Sequence, residues 1–210
     1  MDKLTGRIMT AAGLGLMLSA SVAFAQQPAQ QPQTVRIRGT IEKVDGSMMT
    51  IKTREGSDVD VKLADNARVQ GLAKASIGDI KQNSYIGVTA MPQPDGSQRA
   101  VAIHIFTEQQ RGTGEGHRPW DQQPGSTMTN AAVETTVSGV DGQVVTVKYK
   151  DGEKKVVVPS NAAIVAVAPA EKTEIKPGAK IIIMGAQKQP DGSLQAPSIY
   201  VGLGGVTPPM

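Results

Sequence analysis

The sequence predicts an all-β protein made of two tandem small antiparallel β-barrels of about six strands each. Three observations carry that expectation. Apolar and polar residues alternate over short runs, with the period of a half-buried strand. Asp-Gly pairs and Pro-Asp-Gly turns punctuate those runs at hairpin spacing. The chain also repeats itself, and self-similarity at a fixed period is the signature of a duplicated structural unit.

The repeat is read in three stretches. "VDGSMMTIKTREG" from Val44 aligns without a gap with "VDGQVVTVKYKDG" from Val140. "LADNARV" from Leu63 answers "VPSNAAIV" from Val158, with the asparagine displaced by one position. "DIKQNSYIGVTAMPQPDGSQRAVAIHI" from Asp79 answers "EIKPGAKIIIMGAQKQPDGSLQAPSIYV" from Glu174, and both contain Pro-Asp-Gly-Ser. Chance could supply one such match but hardly three in the same order.

The first strand follows from Val35, Ile37, Gly39, Ile41 and Val44, which nearly alternate with polar residues. Asp45-Gly46 and Asp141-Gly142 predict hairpin turns, because glycine accepts the positive φ these turns require. Second strands run over Met48 to Thr53 and Val144 to Tyr149, and third strands over Asp58 to Leu63 and Lys154 to Val158. Short fourth strands are expected near Arg68 and Ile164. A turn or single helical turn follows around Ile77-Gly78-Asp79 and Thr173 to Gly178, and two further strands flank each Pro-Asp-Gly turn. Barrel closure is favoured because it removes sheet edges that could pair with other chains. Aromatic residues make up 3% of the chain, so the cores must be filled by Val, Ile, Leu and Ala. Units of this size are marginal alone, which makes mutual support between the copies reasonable.

These boundaries divide the chain into a signal peptide at 1–25, a flexible lead-in at 26–34, and the first barrel at 35–106. A Gly/Pro-rich connector at 107–131, the second barrel at 132–202 and a tail at 203–210 complete it. Lys3 and Arg7 precede a mostly apolar run from Ile8 to Val22, and Ala23-Phe24-Ala25 gives the small-x-small pattern of a cleavage site. The expected location is the periplasm. Removing residues 1–25 lowers the formal charge from +3 to +2, since Lys3, Arg7 and Asp2 are lost. A charge so near neutral argues against a nucleic-acid partner. With no cysteine, disulfides and thiol chemistry are excluded. No segment of the mature chain approaches the roughly 20 apolar residues of a membrane span.

The order G-x-I-x-x-V-D-G, T-I-K, I-x-x-G, P-D-G-S and A-x-x-I resembles that of exported bacterial proteins carrying a domain of unknown function. The resemblance covers both repeats but not the connector, and implies OB-like barrels. Some similar proteins carry the label "metal ABC transporter permease". Lack of spans contradicts a permease, leaving a hint of metal association and no catalytic residues to carry over.

Candidate chemistry centres on the connector, where Glu115, His117, Arg118, Trp120 and Asp121 lie among glycines and prolines. The first reading is an ordered connector with Trp120 as a staple between the barrels, since a large apolar surface is costly to leave in water. The second is ligand or partner contact through His117, Arg118, Trp120 and Asp121. The third is a divalent metal on Glu115, His117 and Asp121, with His104, although one histidine with two carboxylates is a poor specification for zinc. His104 has a repeat mate in Tyr200, which suggests surface or interface packing for both. Met48 and Met49 align with Val144 and Val145, which argues for packing rather than soft-metal binding.

No phosphate loop, G-x-S-x-G elbow or H-E-x-x-H motif occurs. The expected function is therefore a non-enzymatic periplasmic binding or scaffold protein that needs no cofactor. Its partner would be a periplasmic protein or an oligosaccharide. The alternative is a periplasmic metal-binding accessory protein, and an enzyme of unrecognised type comes third.

The exported protein is expected to begin at Gln26 and to appear in the periplasmic fraction without detergent. Intact-mass measurement checks this, and retention of residues 1–25 in a membrane fraction would contradict it.

Overall fold

The computed structural model describes residues 34–139 and 142–209, which belong to a single compact unit. The signal peptide and most of the lead-in fall outside the described residues. The protein is all-β, with only short 3₁₀ turns among the described residues, at Ile77–Asp79, Glu108–Gln110, Lys172–Glu174 and Leu203–Gly205.

The first repeat supplies β1 (Thr34–Asp45), β2 (Met48–Thr53), β3 (Asp58–Lys74), β4 (Tyr85–Pro92) and β5 (Gln98–Ile105). The connector contributes β6 (Gly116–Pro119). The second repeat supplies β7 (Thr127–Gly139), β8 (Gly142–Tyr149), β9 (Gly152–Val158), β10 (Ala163–Pro169), β11 (Lys180–Lys188) and β12 (Leu194–Gly202). The Pro-Asp-Gly-Ser turns fold alike in both repeats. Gly96 and Gly192 take φ values of +81° and +85°. Asp95 and Asp191 each accept hydrogen bonds from the backbone N–H and hydroxyl of the serine two residues on. These local bonds hold both carboxyls below their ordinary pKa.

The repeats do not each close on themselves. A five-stranded barrel closes in the order β1-β2-β3-β12-β11, through four antiparallel pairings and one parallel pairing between β3 and β12. Its first three strands come from repeat 1 and its last two from repeat 2. The core mixes them accordingly: Ile41, Ile51 and Val61 pack with Ile181, Ile183 and Ile199, all but fully buried. The remaining pairings run β7-β8-β9-β5-β4 and return to β7, with a short parallel contact of Gln98 and Arg99 against Val156 and Val157. There, Ile86, Val88 and Ile103 of repeat 1 pack with Val133, Val145 and Val156 of repeat 2.

One barrel per repeat is thus corrected to an exchange of strand pairs, with five strands rather than six in the closed barrel. The cause is visible in β3. The expected break between Leu63 and Arg68 is only a shift of register against β12, and the strand continues through it for 17 residues in all. It carries the chain out of its own barrel and delivers β4 and β5 to the other side. In repeat 2 a turn at Pro159, closed by the Ala162 N–H to the Pro159 carbonyl, separates β9 from β10. Even so, β10 runs on to pair antiparallel with β3.

That pairing sets Leu72 opposite Val167, which are equivalent positions in the two repeats. A pseudo-twofold axis passes between them. It relates Val165 beside His104 to Gln70 beside Tyr200.

Exchange makes a test by cutting straightforward. A chain carrying a protease site between Gly112 and Thr113, once cleaved, should elute as one species under native conditions and separate only in denaturant. Halves that part in native buffer would contradict exchanged strands.

Candidate functional site

The pseudo-twofold axis leaves one sheet face to be covered. Its floor carries Arg68 and Gln70 on β3, Ser198 and Tyr200 on β12, and His104 on β5. Ile182 and Met184 of β11 and Met128 of β7 form the sides. The connector is the roof. Between them lies a cavity of about 390 Å³, within the usual range for small-molecule sites.

The connector is ordered. Strand β6 pairs with the start of β7, setting His117 against Thr129 and Arg118 against Met128. Strand β7 thus begins inside the expected connector. Gln110 Nε2 donates to the Tyr200 hydroxyl at 3.1 Å, and the Tyr85 hydroxyl and Asn130 Nδ2 both donate to the Thr113 carbonyl. A turn from Trp120 to Ser126 is tied by the Trp120 N–H to the Ser126 carbonyl at 2.8 Å.

The far end is clamped to β1. Because Ile37 points into the barrel, Arg36 and Arg38 point out, and both donate to the Asp121 carboxylate. Despite the cost of desolvation, those guanidiniums hold Asp121 at about 2. The Trp120 ring lies beneath Arg36, 3.9 Å from its centroid, with Arg118 at 5.5 Å. The indole is half-buried and packs with the central cluster of Leu72, Met128, Val165, Val167 and Ile182. A staple role fits this contact, and the two acids of the connector have partners other than Arg118. Asp121 binds β1, Glu115 accepts the Lys150 N–H, and Arg118 donates to the Gly114 carbonyl.

Of the metal candidates, Glu115, Asp121 and His117 each have a separate partner. His117 Nδ1 bonds the Thr129 hydroxyl at 2.8 Å, and burial lowers its pKa, helped by Lys154 and Arg118. His104 lies on the cavity floor. Among the described residues, no three of His, Asp and Glu gather in a group that could hold a metal ion.

His104 is not a surface residue. It is 2% exposed, and neither ring nitrogen has a hydrogen-bond partner among the described residues. Burial alone pushes its pKa down to about 3, so the imidazole is neutral. Two more orphans lie on the same cavity wall: Trp120 Nε1 and Asn130 Oδ1. Buried polar groups are nearly always paired, so three unpaired side chains around one cavity call for an explanation. Gly87 makes room for one of them, since a Cβ there would lie 2.8 Å from Asn130 Oδ1. A larger cavity of about 580 Å³ beside Lys74, Gly142 and Pro159 has no such orphan on its wall.

Sequence reasoning named His104, Arg118 and Trp120, which meet at the cavity, and His117 and Asp121, which brace its roof. It missed Gln70, Gln110, Asn130 and Ser198. Only the pairing of β3 with β12 brings most of that floor together, and no local pattern marks it.

The neutral His104 gives a signed pH dependence. Between pH 6.5 and about 3 the unfolded chain binds a proton that the folded chain refuses. Stability therefore falls on acidification through that window, by up to about 1.4 kcal/mol per pH unit. Asp121 adds a loss only below its unfolded value of 3.8, as pH falls toward about 2. Urea midpoints from pH 7 to 4 should fall less steeply for His104→Leu than for the natural chain, and the variant should be no less stable at pH 7. Parallel profiles would contradict a neutral buried imidazole.

No family model, curated protein or solved structure matches this chain, so its function has to be inferred from the residues around this cavity.

Proposed function

We propose that the protein is a non-enzymatic binding module of the periplasm, and that its ligand is a small molecule held in the cavity beneath the connector. The observation that carries this reading is the set of unpartnered buried groups on the wall: the His104 ring nitrogens, Trp120 Nε1 and Asn130 Oδ1. An unsatisfied buried donor or acceptor costs about 1–3 kcal/mol. A ligand that supplies the missing hydrogen bonds recovers that cost on binding.

Each ring of strands is read here as an OB-type barrel, the five-stranded Greek-key form that often binds on an open face. In support, each has one parallel pairing among antiparallel ones. The ligand site differs from the usual open face because it lies between the rings. Rigid strands form its floor, and the connector, braced by Asp121 on β1 and Gln110 on Tyr200, closes it. Preorganisation of this kind reduces the ordering cost of binding.

Trp120 reports on the site directly, being the chain's only tryptophan. A panel of charged and neutral low-molecular-mass probes should yield binders that shift its fluorescence and raise the melting temperature. Ser198→Phe, which fills the cavity from the floor, should abolish both responses while the variant stays folded. Binders untouched by Ser198→Phe, or none at all, would overturn the reading.

A further inference from the structure

The charge on the cavity wall is one-sided. Arg68 and Arg118 line it, and no Asp or Glu does. The acids near it in sequence have other partners, Asp121 on Arg36 and Arg38, and Glu115 on the Lys150 N–H. Among the described residues Arg118 donates through Nη1 alone, to the Gly114 carbonyl at 2.7 Å. The rest of that planar fork is unpaired among the described residues. Arg36 also lies over the indole, and burial and that like charge both press the Arg118 pKa below its usual value. A partly buried guanidinium near another cation, and with no carboxylate of its own, is a setting that favours an anion.

The wall's shape restricts what the anion is attached to. Trp120, Phe106 and Tyr200 present rings, and Ile182, Met128 and Met184 present flexible apolar surface. Methionine sulfur and aromatic faces suit a flat unsaturated body. The orphaned groups suit its polar end. Among the orphans Trp120 Nε1 and one His104 nitrogen can donate, while the other His104 nitrogen and Asn130 Oδ1 accept, and the remaining N–H groups of Arg118 tip the balance toward donors. Inorganic anions would satisfy the cations but leave the ring walls without contact.

We propose that the cavity binds a compact aromatic or unsaturated carboxylate, with the carboxylate on Arg118 and the flat body against Trp120, Phe106 and the methionines. This rests on the reading of the cavity as a ligand site and names its ligand class. Arg68, exposed at the mouth, draws the anion inward. His104 takes no part in charge pairing and acts as a neutral hydrogen-bond partner beneath the ligand.

The test uses calorimetry on the full mature chain with benzoate and 2-naphthoate, set against benzamide and 2-naphthamide, and with inorganic phosphate as an anion lacking a body. Each carboxylate should bind at least about tenfold more tightly than its amide, a difference of about 1.4 kcal/mol, and phosphate more weakly than either carboxylate. Arg118→Gln should erase the preference for the carboxylate over the amide. Arg68→Gln, at an exposed position, should weaken the carboxylates alone and more so at low salt, which covers the case in which Arg118→Gln fails to fold. Amides binding as well as carboxylates, with sensitivity to Ser198→Phe kept, would overturn the ligand class and leave the cavity reading standing. Phosphate binding as tightly as 2-naphthoate would overturn the flat apolar body. No binding by any of the probes would overturn the class, and the cavity reading would then stand or fall with the broader panel.

Discussion

The antiparallel ladder between β3 and β10 is the constraint on which the rest of the molecule depends. Five consecutive residues pair across it, from Val165 with Lys74 to Pro169 with Gln70. It fixes where the pseudo-twofold axis lies, and with it which strands are delivered to which barrel. On its two flanks β10 pairs parallel to β5, and β3 parallel to β12. Through these contacts the two rings become one continuous sheet. Neither core is complete without strands that have crossed the ladder, so folding of one half is coupled to folding of the other. The entropy of joining distant strands must be met before those cores form, which points to slow, cooperative folding.

The sequence made the elements legible and their partners illegible. Alternation at Ile37 and Ile41, the run Met48 to Thr53, and the glycine turns were all local signals, and each element forms where those residues lie. The duplication was legible because the turns and core positions repeat. That same similarity hid the exchange. Strands β4 and β5 fit the barrel of β7 to β9 as well as their own, because equivalent strands offer equivalent apolar faces. The deciding feature lies between Leu63 and Arg68, where β3 shifts register against β12 but continues as a strand instead of turning. Ala-Asp-Asn is ordinary turn chemistry, and it does mark an irregularity, since the register against β12 shifts there; pairing with β12 on either side of it accompanies a strand that continues instead of turning.

The site was half legible for a related reason. A lone tryptophan in a glycine- and proline-rich stretch is a strong signal of a specific contact, and Trp120 does pack on the central cluster. His104 and Tyr200 were recognised as repeat mates, but their burial follows from lying next to the axis, beneath the connector. Alternation alone places them opposite Ile103 and Ile199, on a face that would be solvated in a single barrel. Exchange gives that face a second layer, and the histidine becomes an interior group with a depressed pKa.

Symmetry and its breaking then account for the cavity. The floor is built from equivalent strands, and at the equivalent positions of His104 and Tyr200 the two repeats have diverged. Tyr200 is satisfied by Gln110 of the connector, whereas His104 is left with two unpartnered nitrogens. A connector joins the repeats only once, so only one face of the ladder receives this roof. Had the roof served merely to exclude water, apolar residues at positions 104 and 130 would have done so at lower cost, since a paired or apolar interior is more stable than an orphaned polar one. Retaining His104, Asn130 and the Trp120 N–H around this cavity with Arg118 beside them stabilises the empty fold less than apolar residues would. Under the proposed function, those groups find their partners in the bound molecule.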